Sequence, residues 1–343
     1  VTTPRTEHLV LPGVLTAEQA AETVAGILAV QREDGAIPWF RGHHLDPWDH
    51  TEAAMALDAA GEHEAAERAY EWLARHQNED GSWYAAYQDG HFAEVTDRGR
   101  ETNFVAYIAV GVWHHYLSTG DDTFLDRMWP TVYAAMEFVL GLQQPGGQIG
   151  WKREDDGRPV TDGLLTGSSS IHHALRCALA IAEQREEAQP DWELAVGALR
   201  HAIRRHPERF LDKDRYSMDW YYPVLGGALT GVEAKSRIEE GWERFVVPGL
   251  GVRCVVPNPW VTGRGVGRTR AGPVGHRRVR PRPGDPPVDP APAGPGQRVV
   301  LDRLRVRGRG GVAPGADHLD SGLAAPGRRR AGWPRGHLCG VRR

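Results

Sequence analysis

A short turn that returns along the chain constrains its fold more than any other feature. QREDG begins at Gln31 and QNEDG at Gln77, 46 residues later, and LQQPGGQIGW at Leu142–Trp151 is a looser third copy. A period of roughly 40–50 residues containing two helices means helical hairpins, stacked in a solenoid or closed into a toroid. Long polar loops fall after alternate helices, which favours closure. The expected fold is all-α, an (α/α)6-type toroid of helical hairpins, incomplete at its C-terminus and followed by a disordered basic tail.

The helices follow from caps and apolar spacing. Thr16 and Gln19 fit a capping box ahead of Val24, Ile27, Leu28 and Val30. DPWDHTEAAMAL (46–57) reads as a loop feeding acids onto a helix from about Asp49 to Ala60, with Asp49 as N-cap. Glu62 to His76 is amphipathic, with Ala66, Ala69, Tyr70 and Leu73 on one face. Two helices joined by STGDD fit 101–143, with Pro130 expected in the first turn of the second. Ser168–Glu186 and Trp192–Arg205 form another pair; 215–231 reads as a rim loop, and helix resumes over Val232–Phe245.

The overall net charge of -4 hides two regions. Residues 262–343 hold 18 Arg and 5 Asp with no Lys or Glu, net +13, which leaves residues 1–261 at -17. The same stretch has 17 Gly and 11 Pro and no Phe, Tyr, Ile, Met or Asn, so it should not form a packed core. Residues 1–261 are therefore expected to be the toroid domain and 262–343 an Arg/Gly/Pro-rich tail. The preferred explanation of the tail is out-of-frame translation of a GC-rich gene. Its competitors are a basic arm that binds nucleic acid through phosphates and an ordinary flexible tail. No apolar run approaches ~18 residues, and the first residues lack a basic and apolar leader pattern. Three widely spaced cysteines, Cys177, Cys254 and Cys339, make no CxxC pattern. The expectation is a cytoplasmic protein with reduced thiols and no membrane span.

In a toroid the inner helices start at one rim, so their first-turn residues converge on a central cavity. This places Asp49, Glu52, Glu101, Asn103, Ser168, Ser169 and His172 near one another, with Asp46, Asp162 and Asp219 arriving from rim loops. Asp49, Glu101, Glu52, Asp162 and Asp219 are the candidate catalytic acids, because paired carboxylates across a cleft supply a general acid and base. The competing reading of each acid is a helix cap or dipole partner. Trp39, Trp48, Trp83, Tyr84, Trp151, Trp220 and Tyr221 sit in or beside loops, where flat rings suit sugar faces or isoprenoid chains, or plug hairpin junctions. Together with Asn103 and His172 they are the candidate substrate-binding residues. Neighbouring histidines such as His114 and His115 cannot share one helix face and belong on the helix surface; with no HExxH, no metal and no cofactor are expected.

Two resemblances bear on function. LARHQNEDGSW (73–83) resembles the repeat of squalene cyclases and protein prenyltransferases, which implies an α/α toroid, although the DxDD acid motif of the cyclases is absent. TGDDTFLDRMWPTVYAAMEFVLGLQ (119–143) resembles the hairpins of six-hairpin, glucoamylase-like glycosidases, which implies carboxylates and aromatics around a barrel mouth. The leading expectation is an enzyme acting on a glycan or glycoconjugate by a carboxylate acid/base mechanism, inverting if it hydrolyses. Its partner would be a small-molecule or oligosaccharide substrate. The alternatives are a prenyltransferase-like or terpene-cyclase-like protein binding an isoprenoid, and a non-catalytic helical scaffold.

Overall fold

The computed structural model describes residues 9–10, 15–88, 95–248, 250–258 and 261–262. All of these fall in one compact unit, Val1–Val306; a second, Arg307–Arg343, lies outside the described residues, as does the basic tail after Thr262. The helices are α1 (Ala17–Val30), α2 (Pro47–Ala59), α3 (His63–Arg75), α4 (Thr102–Thr119), α5 (Asp122–Leu140), α6 (Leu165–Gln184), α7 (Pro190–Arg205), α8 (Ser217–Leu225) and α9 (Gly231–Phe245). The strands are short: β1 (Ala86–Tyr87) and β2 (Val95–Asp97) pair, as do β3 (Arg100–Glu101), β4 (Lys152–Arg153) and β5 (Pro159–Val160). A last antiparallel sheet joins β6 (Val246–Val247), β7 (Gly251–Arg253) and β8 (Val261–Thr262).

The helices form the expected hairpins of an α/α toroid. Inner helices α2, α4, α6 and α8 pack side by side, and α3, α5, α7 and α9 each fold back on the inner helix before them. Helix α4 lies against α2, α5 and α6. It is accordingly apolar all round, with residues 105–112 completely buried, as a helix without a solvent face must be. Its Gly111 permits this closeness, since a Cβ there would stand 2.6 Å from the Tyr70 ring and 2.7 Å from the Thr51 methyl.

The repeated turn is one device used three times. Gln31 Nε2 donates to Gly35 O and to Ala65 O on α3; Gln77 Nε2 donates to Gly81 O and to Thr131 O on α5. Gln143 Nε2 donates to Gly147 O and to Ala195 O on α7. Each Gln thus closes its own turn and ties it to the next outer helix. The glycines have φ +97, +84 and +90°, and a Cβ would fall 2.0–2.5 Å from a carbonyl of that outer helix. Only glycine fits there.

Several local expectations need correction. Helix α2 starts two residues before Asp49: Asp46 is the N-cap, accepting from Asp49 N, and Pro47 takes the first turn, where its missing N–H costs nothing. Pro130 lies in the middle of α5 and not in its first turn. Residues 217–225 of the expected rim loop form α8, Pro223 included. The predicted capping box of Thr16 and Gln19 is present.

Candidate active site

Asp46, Asp49, Glu52, Glu101 and Asn103 share one cleft of about 140 Å3. Its remaining lining is Trp48, Phe104, Leu164, Thr166, Gly167, Met218 and Tyr222, contributed by the starts of α2, α4, α6 and α8. The convergence of inner-helix starts expected from sequence therefore holds for these acids. Asp46 and Asp49 lie in the cap and first turn of α2, with Glu52 one turn further on. Glu101 ends β3 opposite Lys152 and is the N-cap residue of α4, so a sheet and a helix start together fix it.

Four acids in a small buried space cannot all be ionised. Burial is the main cause that raises each of them. Asp49 is pushed well above the usual carboxylate range by burial, then by the charges of Asp46 and Glu52 and a hydrogen bond with Asp46. Burial also raises Asp46, yet Trp39 Nε1 donates to its Oδ2 at 2.6 Å and Asp49 N to its Oδ1 at 2.8 Å, which favours the anion there. Glu52 rises to about 7 through burial, opposed by the Tyr107 hydroxyl at 3.3 Å. Glu101 also rises to about 7, through burial and the charges of Asp46 and Asp97, with Lys152 opposing. Asp49 Oδ2 is buried and has no hydrogen-bond partner among the described residues.

The other expected residues divide. Trp48 lines the cleft and stacks on Tyr107 at 4.7 Å, and Asn103 lines it too. Trp39 stands behind Asp46 as a donor. Asp219 backs the wall by accepting from Thr166 N and Oγ1. Tyr221 sits beside the lining residue Tyr222, with ring centroids 5.3 Å apart, and does not line the cleft itself.

Asp162 is exposed, and its carbonyl takes the Trp151 N–H; it is not part of the site. Tyr84 and Trp151 lie outside it as well, under Arg98 and Lys152 respectively. Trp83, Trp220 and His172 are structural. Trp83 is 1% exposed and donates to Leu73 O, while Trp220 donates to Arg237 O and stacks on Phe245. His172 Nδ1 meets Gly226 O at 2.8 Å and joins α6 to the end of α8, and burial lowers the imidazole to about 4. Aromatic and imidazole rings at hairpin junctions satisfy their polar edge on backbone carbonyls, which their position in a loop does not reveal.

Phe104, Leu164, Thr166, Gly167, Met218 and Tyr222 were absent from the expected site. Their available signal was position: each lies in or beside the first turns of an inner helix. Asp46, expected to arrive from a rim loop, does line the cleft, as the N-cap of α2.

Fold and cleft together define an α/α-toroid enzyme of glycosidase type that acts on a glycan. A glycosidase solved with glucose bound superposes with a TM-score of 0.56 at 16% identity, over 70% of this chain and 72% of that one. D-mannose isomerase shares the fold at a TM-score of 0.51 and 10% identity, over 72% of this chain and 76% of its own. The chain belongs to the family of the MMP endo-(1,4)-3-O-methyl-alpha-D-mannosidase of Mycolicibacterium hassiacum, with which it is 53% identical over 253 residues, 74% of this chain and 69% of that protein. An uncharacterized glycosyl hydrolase of Methanocaldococcus jannaschii is 25% identical over 170 residues, which are 48% of this chain and 26% of that protein. No family model matches the sequence. The prenyltransferase-like reading of the repeated turn gains no support from these relatives, and the cleft behind it gathers carboxylates instead of forming an apolar isoprenoid cavity.

Proposed function

We propose that the chain is an endo-acting α-mannosidase that cuts internal 1,4-linkages between 3-O-methylated mannose residues. The observation that carries this reading is the 53% identity to the Mycolicibacterium hassiacum mannosidase. The lining of the cleft agrees with it. Phe104, Leu164 and Met218 offer apolar contact to O-methyl groups, while Asp46, Asp49 and Glu52 meet hydroxyls and the glycosidic oxygen. Asp49, whose proton affinity is raised by burial and by the charges of Asp46 and Glu52, is the general acid that protonates the leaving oxygen. Glu101 is the second carboxylate, taking a proton from the water that attacks the anomeric carbon, with inversion of configuration. The charge of Asp46, which accepts a hydrogen bond from Trp39, favours the protonated form of Asp49.

The direct test is incubation with α-1,4-linked oligosaccharides of 3-O-methylmannose, with products read by mass spectrometry and their anomeric configuration by proton NMR. Internal cleavage to shorter methylated chains with a β-configured new end is expected, and unmethylated oligomannosides should be spared. Cleavage of neither substrate, or equal cleavage of both, overturns the substrate; retention overturns the role of Glu101. The reading extends to two surrounding properties. Cys177 is a buried free thiol, which suits a reducing compartment such as the cytoplasm. Residues 262–343 are read as out-of-frame translation, supported by their abrupt change to an Arg/Gly/Pro-rich composition without Lys, Glu, Phe, Tyr, Ile, Met or Asn. Sequencing the coding DNA across codons 255–270 tests that.

A further inference from the structure

A second cluster of ionisable groups lies at the far end of α2 from the cleft. Asp58, in the last turn of that helix and 3% exposed, has Oδ1 2.8 Å from His115 Nδ1 on α4 and 3.1 Å from His63 Nδ1 at the start of α3. The three donor atoms all lie within 4.8 Å of one another. Tyr70 donates its hydroxyl to Asp58 Oδ2 at 3.2 Å, and His114 Nδ1 stands 3.8 Å from that same oxygen without a hydrogen bond. Twelve residues of helix separate Asp58 from Asp46, about 18 Å at the rise of an α-helix, so this cluster takes no part in the cleft.

The orientation of His115 is the informative detail. Its ring is wholly buried, its Nε2 makes no hydrogen bond, and that atom stands 3.8 Å from Glu67 Oε1. If neutral His115 donated from Nδ1 to Asp58, its Nε2 would present a bare lone pair to a carboxylate. If Nδ1 instead gives its lone pair to a cation, Nε2 carries the proton and faces Glu67, which Arg127 holds at 2.9 Å. A carboxylate behind a ligating imidazole is the usual support of a metal-bound histidine. Two imidazoles and one carboxylate suit zinc or a related transition ion better than a hard, oxygen-seeking one. The His63 side chain is 37% exposed, which leaves an entry path and room for a water in the remaining position.

We propose that Asp58, His63 and His115 form a structural binding site for a divalent transition-metal ion of the zinc class, clamping the end of α2 to α3 and α4. It acts on the stability of the inner wall and not on the sugar chemistry. The test is a titration of the chelator-treated, dialysed full chain with Zn2+ alone, by calorimetry and by thermal unfolding. One ion per chain and a raised Tm are expected, with Mg2+ leaving Tm unchanged. His63→Ala, at a part-exposed position, should keep the fold by circular dichroism and weaken Zn2+ binding at least tenfold; His201→Ala, on an exposed face of α7, should bind as the parent does. Absence of saturable one-ion binding, a Tm rise with Mg2+ equal to that with Zn2+, or His63→Ala binding as tightly as the parent would each overturn the site in favour of a purely hydrogen-bonded cluster.

Discussion

Helix α2 carries buried acids at both ends, and their proton affinities run against its dipole. A helix N-terminus stabilises an anion and a C-terminus disfavours one. Yet Asp49 in the first turn is raised well above its ordinary value, and Asp58 in the last turn is lowered. At the first turn, burial acts together with the neighbouring charges of Asp46 and Glu52. At the last turn burial also works to raise Asp58, but the imidazoles gathered around it, His114 nearby and His115 and His63 in hydrogen bonds, outweigh it. The lesson is that donors supplied by neighbouring helices decide protonation here, and the dipole of the parent helix is the smaller influence.

This contrast can be broken at either end. The largest effect should come from Asp49→Asn, which removes the transferable proton and should lower kcat by about 10^2–10^4, the usual worth of a general acid. Because it also relieves charge crowding, Tm should hold or rise; a variant with full activity would end the assignment. Next, Asp58→Asn weakens the hydrogen bonds that hold the buried His115 ring and the Tyr70 hydroxyl and should cost about 1–3 kcal/mol in urea unfolding of the metal-free protein. Loss of activity out of proportion to that destabilisation would show that the two ends are coupled.

A third experiment sharpens the comparison through pH. Glu52 and Glu101 have folded values near 7, above their ordinary 4.5. Between those values the folded chain holds protons that the unfolded chain has released. Stability therefore falls as pH rises from about 4.5 through about 7. Glu52→Gln and Glu101→Gln should each flatten that slope in denaturation measured across the range, and an unchanged slope in both would contradict the raised values. The smallest effect belongs to the control, Gln77→Ala, which touches neither end. It removes two hydrogen bonds that tie a turn to α5 and should cost about 1–2 kcal/mol with the pH slope intact.

Much of this was legible in the sequence. The recurrent Gln turn announced hairpins, and its meaning as a tie to the next outer helix follows the same spacing at all three copies. Asp49, Glu52, Glu101 and Asn103 were placed in the cleft by the rule that inner helices begin at one rim, and Trp48 by its aromatic ring beside a loop. The rule failed for His172, because α6 starts at Leu165, which puts His172 two turns in, where it turns toward the end of α8. It failed for His115 as well, expected on a helix surface and found wholly buried against a residue 57 positions away. Adjacent histidines do point to different sides of a helix; α4 buries most of its sides, so that argument does not place either one in solvent.

Local sequence by itself determined where helices start and stop, which turns need glycine, and which acids enter at helix starts. These are properties of a few consecutive residues: caps, φ angles and apolar spacing. Only the tertiary structure decided which acid holds a proton and which aromatics are plugs, and that Asp58 gathers imidazoles from two other helices. Those outcomes depend on desolvation and on donors brought from tens of residues away, and neither exists until the helices have packed.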